Sequence, residues 1–179
     1  MNAYFRRQLT DYVEYHRDPR NCAAHVLGII LLFLGAILPL TMWPISALGV
    51  HTTLGVLLAL PVLIYWVTLD AVIGLALVAA AVLLFATATL IVDHVSLAGV
   101  WEITLVLLVV GVGSQIVGHQ VFERRKASMA DHPTHLLLGP PFVMAKLFIA
   151  LGFRDDLAEI IGPAESAAPD ASSVSGKLR

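Results

Sequence analysis

The sequence predicts an all-α fold: a polytopic membrane helical bundle of four transmembrane helices, with amphipathic or interfacial helices at both ends. Three observations predict it. Mean hydropathy is +0.84. Of 179 residues, 58% are hydrophobic and 13% charged, where a soluble domain carries about 25% charged residues. The charges are also segregated. No Lys or Arg occurs between Asn21 and Glu123, and the acidic residues there are Asp70, Asp93, Glu102 and Glu123. Basic residues crowd just outside that run, at Arg6, Arg7, Arg17 and Arg20 before it and Arg124, Arg125 and Lys126 after it.

Taken in order, Met1–Arg20 is polar, with Tyr4, Phe5, Leu9, Tyr12, Val13 and His16 recurring at helical spacing. This predicts an amphipathic helix lying on the membrane surface. It carries no cleavable leader pattern, so the first apolar helix would itself direct insertion. Asp18-Pro19 interrupts the helix, and Asn21 is the predicted N-cap of the next.

The first span covers about 22–42, close to the roughly 20 residues a bilayer demands. Pro39, Trp43 and Pro44 mark its far end. The second span covers about 45–69 and the third about 71–92, with Asp70 at the turn between them. The fourth covers about 97–118 after the polar turn Asp93-His94-Val95-Ser96. Within it Gly111, Gly113 and Ser114 permit close helix contact. Cations flank the spans and avoid every loop between them, so both termini are predicted to be cytoplasmic. The chain therefore reads as integral to the bacterial inner membrane, or to the endoplasmic reticulum if eukaryotic. The membrane domain runs over residues 1–153. It includes an interfacial or re-entrant segment at about 136–152, apolar but interrupted by Gly139-Pro140-Pro141. Residues 154–179 read as a mostly disordered tail.

This composition excludes several classes. Nucleic-acid binding needs a basic stripe, and none is available. The single cysteine, Cys22, excludes an intramolecular disulfide and any Cys-rich metal site. The seven histidines remain. The four-span topology sorts His16, His25, His119, His132 and His135 to one membrane face and leaves His51 and His94 on the other. Glu123 follows His119 by four residues, so on a helix they share a face. Imidazoles beside a carboxylate suit non-haem iron. Each histidine alone also reads as an ordinary span-end residue. A haem-binding electron carrier and a non-catalytic lipid-binding protein therefore stay open as alternatives. Arg124 and Arg125 serve topology first, and a lipid carboxylate as counter-charge second.

Two stretches add a resemblance. Tyr15-His16-Arg17-Asp18-Pro19-Arg20-Asn21, with His25 following, and Gln115-Ile116-Val117-Gly118-His119-Gln120-Val121-Phe122-Glu123-Arg124-Arg125 resemble the paired signatures of the Mpo1-like family. The likeness extends from about Tyr12 to Gly152. It implies an iron(II)-dependent dioxygenase of 2-hydroxy fatty acids that shortens them by one carbon in alpha-oxidation without 2-oxoglutarate. It further implies His16, His25 and His119 as metal ligands. Glu123 would be a fourth ligand or a partner orienting an imidazole, and Asn21 a catalytic-site residue. Arg124 and Arg125 would steer the acid headgroup. The partners implied are a 2-hydroxy fatty acid, dioxygen and membrane lipid. The resemblance does not extend to His132 or His135.

Overall fold

The computed structural model describes residues 1–47, 49–123 and 133–162. Helix α1, Ala3–Val13, is capped by Asn2, whose side chain accepts from Phe5 N. Asn2 also ties α1 to the end of a later helix, through Asn2 N to Leu69 O at 3.0 Å and Asn2 Nδ2 to Thr68 O at 2.9 Å. Phe5, Leu9 and Tyr12 are buried. The apolar stripe of α1 is thus covered by protein rather than laid on lipid, and His16 lies beyond its end.

Helix α2 is Pro19–Thr41. Its N-cap is Asp18, which accepts from Arg20 N at 2.8 Å, and not Asn21 as the sequence predicts. Pro19 at the first helical position explains the shift, since its missing N–H would have had no partner there. Asn21 is left inside the first turn with its side chain free for other work. Pro39 lies within α2 rather than ending it.

The predicted second span is where the fold departs most. Residues Pro44–Ala47 (β1) and Val50–Thr53 (β2) form an antiparallel hairpin, with Gly49 at φ 78° in its turn. Helix α3 then covers only Leu54–Leu69, 16 residues, or about 24 Å at 1.5 Å per residue. Helix α4, Ala71–His94, starts on Asp70, whose carboxylate accepts from Val72 N and Ile73 N. Helix α5, Leu97–Val117, runs into a π-helical turn, Gly118–Glu123. Among the described residues three helices are long and apolar enough to cross a membrane: Pro19–Thr41, Ala71–His94 and Leu97–Glu123. They carry exposed Leu83, Leu90, Leu105 and Val109 on their outer faces, the pattern of a lipid-facing surface. These helices mark a membrane protein.

Close packing of α2 on α5 rests on absent side chains. A Cβ on Gly111 would meet Leu32 Cγ at 2.8 Å, and one on Gly28 would strike Ser114 Oγ. Gly113 faces open space, so its expected packing role is not realised.

After a 3₁₀ turn, Pro133–Leu137, helix α6 covers Gly139–Ala150. Gly139-Pro140-Pro141 opens this helix instead of breaking it, because proline is favoured in a first turn. Phe142 and Ala145 are buried among α1, α2 and α4, in one core cluster with Phe5, Leu9, Cys22 and Trp66. Helix α7, Asp155–Ile161, adds order where the tail was expected to begin; residues 163–179 lie outside the described ones. Arg154 pins this end by pairing with Asp70 at 3.1 Å, and the N-terminal ammonium reaches the same carboxylate at 3.0 Å.

Candidate metal centre

His16, His25 and His119 converge from three separate elements: the α1–α2 connection, the first turns of α2 and the π-helical turn. One nitrogen from each lies within 4.8 Å of the others, and all three residues are buried. Their rings meet edge to face, with centroids 4.4 Å apart for His16–His25, 4.7 Å for His25–His119 and 5.1 Å for His16–His119.

Hydrogen bonds decide which nitrogen two of the rings present. His16 Nδ1 lies 2.9 Å from Tyr12 O. A carbonyl only accepts, so Nδ1 carries the proton and Nε2 is left with a lone pair. His25 Nδ1 lies 3.0 Å from Asn21 Oδ1. The amide orientation is itself fixed, because Asn21 Nδ2 donates to Glu123 Oε1 at 3.2 Å and to Tyr15 O at 3.4 Å, both acceptors. Asn21 thus turns His25 Nε2 toward the cluster, the task an outer partner performs for a metal-bound imidazole. Among the described residues His16 Nε2 and His119 Nδ1 are buried with no hydrogen-bond partner. Leaving such atoms unpaired costs about 1–3 kcal/mol each, a cost that coordination would remove. Neutral nitrogens, converging and unsatisfied, fit a divalent transition-metal ion. Burial, opposed by the Tyr12 carbonyl, lowers the His16 pKa to about 4, so this imidazole is neutral and ready to donate at pH 7.

Glu123 takes part differently. Its Oε1 accepts from Asp18 N at 2.8 Å as well as from Asn21. The carboxylate therefore staples the π-helical turn to the start of α2. The π-helix is the local device: such widened turns recur at functional sites, and this one buries His119 while returning Glu123 to α2. Gly118 has ordinary helical torsions, φ −51°. It is needed for space, since a Cβ there would strike Asn21 Oδ1.

The remaining candidates separate. His135 is buried against Tyr12 and Tyr15, with centroids 5.4 and 6.1 Å away, and is not a member of the three-histidine cluster. His51 is exposed on the hairpin with Ser46 Oγ at 2.9 Å, and exposed His94 bonds to Leu90 O. Arg124, Arg125 and His132 lie outside the described residues. Sequence reasoning missed the supports. Tyr12 stacks on His16 at 4.1 Å and 10°, and Phe142 approaches it at 5.5 Å. Cys22 Sγ donates to His16 O at 3.2 Å. The spacing of Tyr12 and His16, four apart, was the one available signal.

Fold and site together define a class, a helical membrane protein with three buried histidines gathered at one end of the bundle. The chain belongs to the Mpo1-like family: the family model described as "2-hydroxy-palmitic acid dioxygenase Mpo1-like" matches residues 2–151. It is similar to 2-hydroxy-palmitic acid dioxygenase MPO1 of Saccharomyces cerevisiae, at 32% identity over 155 residues, covering 85% of this chain and 84% of that protein. No solved structure matches it.

Proposed function

We propose that this chain is an iron(II)-dependent dioxygenase that shortens 2-hydroxy fatty acids by one carbon, working at the cytoplasmic face of a membrane with both termini on that side. The observation that carries the reading is the convergence of three buried, differently supported imidazoles in a chain that matches a 2-hydroxy-palmitic acid dioxygenase over most of its length. His16, His25 and His119 would hold the iron, which supplies the oxygen chemistry when bound.

The protein's own residues prepare that chemistry. Tyr12 O and Asn21 Oδ1 hold two ring protons on Nδ1, so both Nε2 lone pairs aim inward. Glu123 places a negative charge beside the cluster while locking Asn21, and it acts as a positioning residue in this reading. Burial under Phe142 and Tyr12 keeps bulk water off His16. Arg124 and Arg125 are proposed to steer the approaching acid headgroup by their positive charge. The cation pattern of the loops supports the cytoplasmic placement, with α3 crossing as a fourth, shorter span; the ion pair between the N-terminal ammonium and Asp70, at the end of α3, supports that crossing. The haem alternative loses support, because rings meeting edge to face leave no slot for a macrocycle between them.

The test is oxygen consumption by anaerobically purified, iron-loaded protein on addition of 2-hydroxypalmitate, with the product one carbon shorter. His25→Ala and His119→Ala should lose both iron and oxygen uptake. Full activity in both would end the proposal.

A further inference from the structure

An apolar cleft of about 660 Å³ opens between α2, α3, α4 and α6. One stripe of α2 forms its wall: Ile29, Phe33, Ala36 and Leu40 succeed one another at intervals of three and four residues. His25 lies on the same stripe, one turn before Ile29. On α2 the cleft lining therefore starts within one turn of His25, at Val26 and Ile29. Its α2 wall, Val26 to Leu40, extends about 21 Å at 1.5 Å per residue. A sixteen-carbon chain, advancing ~1.3 Å per zig-zag carbon from bonds of ~1.5 Å, needs about 19 Å. The volume is also within the range of about 300–1,000 Å³ that small-molecule sites occupy.

Among the described residues lining the cleft, one is ionisable: Lys146, on α6. Its Nζ donates to Cys22 Sγ at 3.0 Å and sits over the Phe142 ring at 5.2 Å. Among the described residues it pairs with no carboxylate. Both of its neighbours touch the cluster, Cys22 through His16 O and Phe142 through the His16 ring. A half-buried ammonium with no carboxylate partner among the described residues, at the polar end of an apolar slot, is an acid-recognition feature.

We infer that Lys146 binds the carboxylate of a single-chain fatty acid whose acyl tail fills the cleft between α2, α3, α4 and α6. The carbon next to the carboxylate is then presented toward His16 and His25, and the far end of the slot, at Leu40, Gly55 and Phe85, sets the chain length accepted. This rests on the proposed function only for the identity of the reacting carbon. Binding itself needs no metal.

The experiment uses Trp66, which lines the cleft. Trp43 and Trp101 are exposed and are replaced by Phe, which leaves one reporter. Chelator-treated full-length protein in phosphatidylcholine nanodiscs is titrated with palmitate brominated mid-chain. Saturable quenching is expected, with the methyl ester at least tenfold weaker. Lys146→Gln should weaken the acid at least tenfold and leave the ester unchanged, while Lys146→Arg should remain within about threefold of the parent. Absence of saturable quenching would overturn the inference, as would equal acid binding by Lys146→Gln. So would quenching by brominated phosphatidylcholine that free acid cannot relieve, which would make the cleft a bilayer-lipid groove. Oxygen uptake separates this from the reading it builds on. Acid binding that depends on Lys146 without uptake refutes the enzyme and keeps the site; uptake without that dependence does the reverse.

Discussion

Asn21→Ala probes the support of the cluster without touching any of the three imidazoles. The substitution deletes the acceptor 3.0 Å from His25 Nδ1 and the donor 3.2 Å from Glu123 Oε1. Glu123 keeps Asp18 N at 2.8 Å, so the staple between the π-helical turn and α2 persists. What is lost is the hold on His25: its ring can rotate, and both tautomers become accessible where one presented Nε2 to the cluster. Removing such an outer partner weakens a metal site by about 10–100-fold, which is about 1.4–2.7 kcal/mol. The assay is anaerobic titration of apo-protein with iron(II) against a chromophoric chelator, paired with the thermal midpoint of the apo form. The expected result is a loss of affinity in that range with a much smaller change in apo stability. An affinity within twofold of the parent would refute the assignment, and so would a collapse of apo stability with affinity intact.

Other changes separate the roles further. Glu123→Gln retains an oxygen acceptor for Asp18 N and Asn21, so iron affinity should fall less than about tenfold; complete loss of iron would make Glu123 a ligand. Gly118→Ala forces a Cβ into Asn21 Oδ1 and should weaken iron about as much as Asn21→Ala; unchanged affinity would contradict the close approach. Burial works to raise the Asp70 carboxyl, but Arg154, Ile73 N and the N-terminal ammonium outweigh it and hold its pKa below the usual range. A lowered folded-state pKa stabilises above the unfolded value and is lost as pH falls through the folded one. The parent's thermal midpoint should therefore drop below about pH 4, and Asp70→Asn should drop less steeply; equal slopes would refute the linkage. Removing bound iron with a chelator should lower the midpoint of the parent, since a ligand of the native state stabilises it, and leave His119→Ala unmoved.

The long elements were legible because they depend on composition. An unbroken apolar run from Ala71 and a second from Leu97, carrying the single charge Glu102, leave little choice but helices, and the structure supplies both. The hairpin at Pro44–Thr53 was not, because hydropathy averages over it; its signals were local, in Gly49 and the Thr52-Thr53 pair. The start of α6 was misread because Pro140 and Pro141 look like breakers until their position in a first turn is known. In the site, the spacing of His119 and Glu123 predicts a shared helix face; the structure has both in the π-helical turn Gly118–Glu123, and spacing could not reveal that Glu123 engages Asp18 and Asn21 across more than a hundred residues. Lys146 was legible only as a charge in an apolar segment. Its place beside Cys22 and Phe142 is a product of tertiary packing.

The central claim is that His16, His25 and His119 share one ion. Iron content of anaerobically purified protein tests it most directly, measured for the parent and for the three single His→Ala variants. The account predicts about one iron per parent chain and near-zero iron in each variant that retains its helical fold. A full complement of iron in any one of the three would contradict it.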